Sequence, residues 1–228
     1  MSDHINKLRI KVVSNALKPL NEKIVFVGGA TISLYSDRQA FDVRPTDDVD
    51  VILEILDYNE RSKLDEKLRD IGFINDIESN VICRYKIQGI IVDIMPTDDS
   101  SIGFKNLWYT NGFENAVDCQ IDDDTIVKIL SAPYFIATKL EAHKGRGEND
   151  GRTSHDFEDI VYVLENRSNI WEEILAADSE IKNYLKEEFQ TLLNNPNIEE
   201  WIGSHVERSP QPATNRIIAE MEKFVKSN

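Results

Sequence analysis

Cysteine is scarce. Two thiols in 228 residues, Cys83 and Cys119, are too few and too far apart for a disulfide framework or a zinc site, and both are expected to be reduced core residues. Long apolar runs are also missing, since none approaches the roughly 18–20 residues that a membrane helix needs. The opening Met-Ser-Asp-His-Ile-Asn-Lys-Leu-Arg contains no apolar signal core, so a cytoplasmic protein with no membrane partner is expected. Basic residues are under-represented: 26 Lys and Arg face 41 Asp and Glu, a formal net charge of −15. That balance excludes a protein that coats nucleic acid, because non-specific affinity for phosphate comes from Lys and Arg. A polynucleotide partner would need a local basic patch. There is no internal repeat, no low-complexity segment and no Cys/His nucleophile pattern, and His143 and His155 are expected to be structural or surface residues.

The acid that is present is uneven. Residues 1–50 hold seven acids and seven bases, but four of those acids fall between Asp42 and Asp50. Later runs, such as Asp122-Asp123-Asp124 and the acids of 156–200, read as a turn and as solvated helix faces. The periodicity of Ile5, Leu8, Val12, Val13, Ala16 and Leu17 predicts a helix over 4–18, stopped by Pro19. Ile24-Val25-Phe26-Val27 reads as a buried strand that turns at Gly28-Gly29 into a short helix over 30–35. Further strands are predicted at 48–53, 82–87 and 90–95, with Gln88-Gly89 as a two-residue hairpin turn and a helix over 61–71. Residues 104–121 read as a loop with an edge strand. Beyond Ser131 the periodicity is helical, at 132–144, 155–166, 168–175, 179–194 and 212–227, and Gly145 to Gly151 is the stretch expected to be loosest. Strands first and helices afterwards indicate an α+β protein: residues 1–125 as an α+β catalytic domain and 126–228 as a helical domain.

The chemistry is concentrated in four short features. Alternate strand positions share a face about 6.6–6.8 Å apart, so the carboxylates of Asp48 and Asp50 can reach one cation while Val49 and Val51 face the core. Asp93 lies inside Ile90-Ile91-Val92-Asp93-Ile94-Met95, and a carboxylate buried among such neighbours needs a cation or a structural salt bridge. Three carboxylates on neighbouring strands suit Mg²⁺ (or Mn²⁺), a hard cation that shares its oxygen ligands with substrate phosphates. Gly28 and Gly29 would let backbone N–H groups approach a triphosphate, with the Thr31 hydroxyl as a further donor. Together these point to two-metal phosphoryl or nucleotidyl transfer.

Gly28-Gly29-Ala30-Thr31, Asp48-Val49-Asp50 and Asp93 resemble the signature of the DNA polymerase β-like nucleotidyltransferases. Within that superfamily, Arg44-Pro45-Thr46-Asp47-Asp48-Val49-Asp50 is most similar to the AbiEii/AbiGii-type nucleotidyltransferase toxins. Lys139-Leu140-Glu141-Ala142, then Arg146 or Arg152, then Asp156 and Asp159 match that family's later motifs. The resemblance spans residues 24–165. It implies a mixed β-sheet flanked by helices and followed by a helical bundle, with an NTP as substrate. Asp48, Asp50 and Asp93 would be the catalytic metal ligands, and Gly28, Gly29, Thr31, Arg44, Lys139 and Asp156 would form the nucleotide site. It further implies a toxin or phage-defence enzyme, an acceptor such as tRNA or another macromolecule, and a cognate antitoxin. A non-catalytic nucleotide- or partner-binding module of the same fold, and an antibiotic-type nucleotidyltransferase with a small acceptor, remain open beside it.

Overall fold

The computed structural model describes residues 2–38, 43–54, 58–79, 81–97, 106–146, 150–206 and 210–227. Asp42 of the acidic cluster and residues 147–149 of the glycine-rich stretch lie outside the described residues. The chain divides into two compact units, residues 1–34 with 42–131, and residues 35–41 with 132–228.

The first unit is built on one mixed seven-stranded sheet. Its elements are α1 (Ser2–Ala16), β1 (Ile24–Val27), β2 (Asp48–Leu53), α2 (Tyr58–Asp70), β3 (Ile74–Asn75), β4 (Arg84–Ile87), β5 (Ile90–Pro96), α3 (Tyr109–Glu114), β6 (Val117–Asp122) and β7 (Thr125–Ile129). The strands lie in the order β3-β4-β5-β2-β1-β7-β6. β2 runs parallel to β5 and antiparallel to β1, which is parallel to β7. Strands buried on both faces read as continuous apolar runs, and Ile24–Val27 is such a run, buried throughout at the centre of the sheet.

Two features of α1 and one turn refine the sequence reading. Asn6, Ile10, Val13 and Leu17 form the inward stripe, whereas Ile5 and Leu8 are nearly half exposed. A polar residue holds the first position of the stripe because Asn6 accepts a hydrogen bond from the buried Thr46 hydroxyl at 3.2 Å. The Gln88-Gly89 turn has φ of 49° and 80°, the doubly positive geometry of a tight hairpin turn. Gln is a poor occupant of that geometry, while Asn-Gly is favoured. Gln88→Asn is therefore expected to raise stability by about 0.5–1 kcal/mol, read as a shift in urea midpoint at constant m.

The β6–β7 hairpin extends the edge strand expected before residue 121 into a pair. Thr125, Val127 and Ile129 of β7 are buried in alternation, but every residue of β6 is exposed or half-buried, so its own pattern carries little signal. Neither cysteine is a core residue. Both are half-buried thiols outside any disulfide, because Cys83 precedes β4 and Cys119 lies on the edge strand.

The second unit is helical: α4 (Ala132–Arg146), α5 (His155–Asn166), α6 (Ile170–Ala176), α7 (Ser179–Leu193), α8 (Ile198–Gly203) and α9 (Pro210–Lys226). α4 is buried along almost its whole length. It packs on α5, α6 and α7, and α9 packs on α5, α6, α7 and α8. Ser154 caps α5 by accepting the Phe157 N–H at 3.2 Å. The Tyr35 ring, from the short segment that belongs to this unit, lies 4.3 Å from that of Phe135. The expected looseness of 145–151 does not extend to its end. Gly151 is buried against Trp201, where an added Cβ would meet the indole at 2.5 Å.

Candidate functional site

Strand register assembles the carboxylates. Val27 is opposite Asp50 across β1 and β2, and Asp50 is opposite Asp93 across β2 and β5, so the end of β1 and both acids lie at one level of the sheet. Alternation along β2 leaves Asp48 and Asp50 half-buried on one face and Val49 and Val51 fully buried on the other. Asp93 is 8% exposed. The three carboxylates offer oxygens within 4.8 Å of one another, and among the described residues no other group of three potential ligands comes so close.

The glycine turn completes this end of the sheet. Gly28 has φ +71°, a conformation L-residues avoid, and the Asp50 side chain lies directly over it: an added Cβ would sit 1.9 Å from Asp50 Oδ2. Over Gly29, a Cβ would meet Arg44 Nη2 at 2.5 Å and Thr46 Cγ2 at 3.0 Å. The Gly-Gly pair thus admits one carboxylate and one guanidinium to close approach with the backbone. The helix that follows, Gly29–Tyr35, is a seven-residue 3₁₀ helix. Thr31 is fully buried, and its hydroxyl donates to the Gly28 carbonyl at 2.9 Å, so its proton is engaged in closing the turn. The approach to β2 is held from α1, because Arg9 donates to the Thr46 carbonyl.

Arg84 is the residue that the sequence reading missed. Its Nε and Nη2 bond both oxygens of Asp93, at 2.8 and 2.7 Å, and Nη2 also reaches Asp48 Oδ2 at 3.2 Å. The salt bridge that was one alternative for Asp93 is therefore present, and its partner comes from the adjacent strand. A signal existed: a two-residue turn at Gln88-Gly89 pairs Ile87 with Ile90, and counting outward brings Arg84 opposite Asp93. The hydrogen bond to Asp93 is the main reason the guanidinium is held even more firmly protonated than usual. Beside it, burial and then the Asp93 charge push the Cys83 thiol up to about 11, which keeps it a neutral thiol and a poor nucleophile.

The remaining candidates lie in the helical unit. The Lys139 ammonium is buried between Asp156 Oδ1 at 3.1 Å and Asp159 Oδ2 at 2.6 Å. Burial alone would lower its affinity for a proton, but the charges of Asp159 and Asp156 outweigh that and raise it. Of the two arginines considered for the motif, Arg146 makes a forked pair with Asp156 at 2.9 and 3.0 Å, whereas Arg152 pairs with Asp150 and Glu200. Burial would raise the Asp156 carboxyl, but hydrogen bonds from Arg146 and the Lys139 charge hold it down to about 2. His143 is buried, with Nδ1 2.8 Å from Ser154 Oγ and its ring packed on Phe157 and Trp201, which is a structural role. His155 is at the surface beside Glu158.

The first cluster suits a hard divalent cation. With metal–oxygen distances of about 2.0–2.1 Å, opposite ligands stand about 4.2 Å apart. A spread of up to 4.8 Å closes onto one ion with small side-chain rotations. All-oxygen donors favour Mg²⁺ or Mn²⁺ over softer metals. A mixed sheet that brings Asp-x-Asp and a third Asp together against a Gly-Gly turn defines a protein of nucleotidyltransferase type. More specifically, the chain belongs to the nucleotidyl transferase AbiEii toxin family of the Type IV toxin–antitoxin system, whose pattern it matches over residues 12–226. No curated protein matches it. Among the described residues, no helix is long and apolar enough to cross a membrane.

Proposed function

We propose that the protein is a Mg²⁺-dependent nucleotidyltransferase that moves a nucleoside monophosphate from an NTP to an acceptor hydroxyl, acting in the cytoplasm as a toxin or phage-defence enzyme. The observation that carries this reading is the alignment of Asp50 with Asp93 across parallel strands, beside Asp48 and over Gly28. Asp48, Asp50 and Asp93 would hold the cation. The bound metal would neutralise phosphate charge and lower the pKa of the attacking hydroxyl. The acceptor oxygen forms a bond to the α-phosphorus, the bond to the β-phosphate oxygen breaks, pyrophosphate leaves and the hydroxyl proton passes to solvent.

The triphosphate is assigned to the turn at Gly28 and Gly29, where the absent Cβ atoms let Asp50 and Arg44 pack against the backbone and Arg44 supplies positive charge. Lys139 has three N–H donors, of which Asp156 and Asp159 take two. The third is assigned to the nucleotide, with Asp156 orienting the ammonium. The acceptor is assigned to tRNA or another macromolecule, and the family's toxin–antitoxin character supports a cognate antitoxin partner.

One observation favours a second reading, a nucleotide-binding module without turnover: Arg84 already satisfies Asp93 through a protein cation. The two separate when the protein is incubated with each labelled NTP, Mg²⁺ and total RNA or cell extract, alongside Asp48→Ala. The enzyme reading expects label transferred by the wild type and at least 100-fold less by the variant, with the labelled species identifying a macromolecular or small acceptor. Nucleotide binding with no Asp48-dependent label for any NTP would establish the module instead.

A further inference from the structure

Arg84 makes three hydrogen bonds to two of the three carboxylates that the proposed metal site uses. The hairpin register places it directly opposite Asp93, where cross-strand side chains on one face stand about 4.5–5.5 Å apart. A planar guanidinium that grips both oxygens of a carboxylate fixes the plane of that carboxylate as well as its charge, which a lysine cannot do. Its Nη2 also engages Asp48 Oδ2, so a cation binding through that oxygen must displace or share it. The guanidinium cancels one of the cluster's three negative charges, and it is only 24% exposed, so solvent does little to weaken that effect.

We propose that Arg84 is a positioning residue with two linked effects. It holds Asp93 at a fixed angle across from Asp50, and as a resident countercation it opposes uptake of a bare divalent ion, so that the ion is accepted chiefly with the oxygens of a nucleoside triphosphate. This rests on the reading of Asp48, Asp50 and Asp93 as metal ligands. Replacing the guanidinium with an apolar side chain removes both the competitor and the clamp: bare-metal affinity should rise while turnover falls. Replacing it with lysine retains the charge and loses the fork, so turnover should fall while bare-metal affinity stays near the wild-type value.

The test is Mn²⁺ binding to the full chain without nucleotide, followed by electron paramagnetic resonance, for wild type, Arg84→Met, Arg84→Gln, Arg84→Lys and the double variant Arg84→Met/Asp48→Asn, with circular dichroism reporting the folded state. Wild type is expected to bind Mn²⁺ at least tenfold more weakly than Arg84→Met or Arg84→Gln and about as tightly as Arg84→Lys. NTP-dependent transfer should fall at least tenfold in all three single Arg84 variants. An arginine that only stabilised the fold would not make the metal bind more tightly when removed. If the folded Met or Gln variant binds Mn²⁺ no more tightly than wild type, the countercation role is wrong and the metal reading stands. If Arg84→Met and the double variant Arg84→Met/Asp48→Asn bind Mn²⁺ alike, the metal reading fails and the inference with it.

Discussion

Gly28→Ala is expected to cut nucleotide transfer by about 100-fold or more, although the substitution adds a single methyl group. Two effects combine. At φ +71° an alanine is strained by about 1–2 kcal/mol. The new Cβ would also sit 1.9 Å from Asp50 Oδ2 and 2.7 Å from its Cγ, so either the turn or the carboxylate must move by more than an ångström. Asp50 is the acid that lies level with Asp93, and a misplacement of about 1 Å at reacting groups is enough to cost roughly 100-fold in rate. Gly29→Ala should be milder, near tenfold, because the close atoms there include the far end of the flexible Arg44 side chain. Rates of label transfer and urea midpoints for both variants check the order. Wild-type transfer by a folded Gly28→Ala protein would show that Asp50 need not stay where the turn holds it.

This coupling explains why the motif was legible in the sequence. Gly28, Asp48, Asp50 and Asp93 are constrained by backbone sterics, strand alternation and the cost of burying charge, and each leaves a local trace. The helices of the second unit were legible for a similar reason, since their apolar stripes repeat at helical spacing. The six-residue α8 was not: it follows Pro196 closely and is too short to show a period. β6 was legible only as an edge strand, because an exposed strand has no need to alternate. The inward face of α1 was misplaced because one of its buried positions is Asn6, whose amide oxygen accepts from a threonine 40 residues away. Arg84 sits between these cases. Its contact with Asp93 followed from the hairpin register, but its reach to Asp48 depends on β2 lying beside β5, a parallel pairing that no local pattern specifies.

Lys139 shows where local reasoning ends, because its environment is supplied by the next helix. A buried ammonium with two buried carboxylates is costly to break and less costly to replace whole. Lys139→Met leaves Asp159 without its ammonium partner, while Asp156 keeps the Arg146 fork, and is expected to lower stability by about 3–5 kcal/mol. Lys139→Met/Asp159→Leu removes the buried pair together and should recover most of that loss. Stability should also depend on pH in a set direction. The Asp156 carboxyl lies near 2 in the folded chain against an ordinary value of 3.8, so its contribution is present above about pH 4 and is lost as pH falls through 2. That contribution is roughly 2 kcal/mol. It should be absent in Asp156→Asn, whose deficit against wild type therefore narrows in urea titrations between pH 4 and 2. The double variant also tests the assignment of the third Lys139 proton to the nucleotide. A protein restored in stability but with KM for NTP raised tenfold or more retains that role for Lys139. If KM returns to the wild-type value together with stability, the lysine serves only to join α4 to α5.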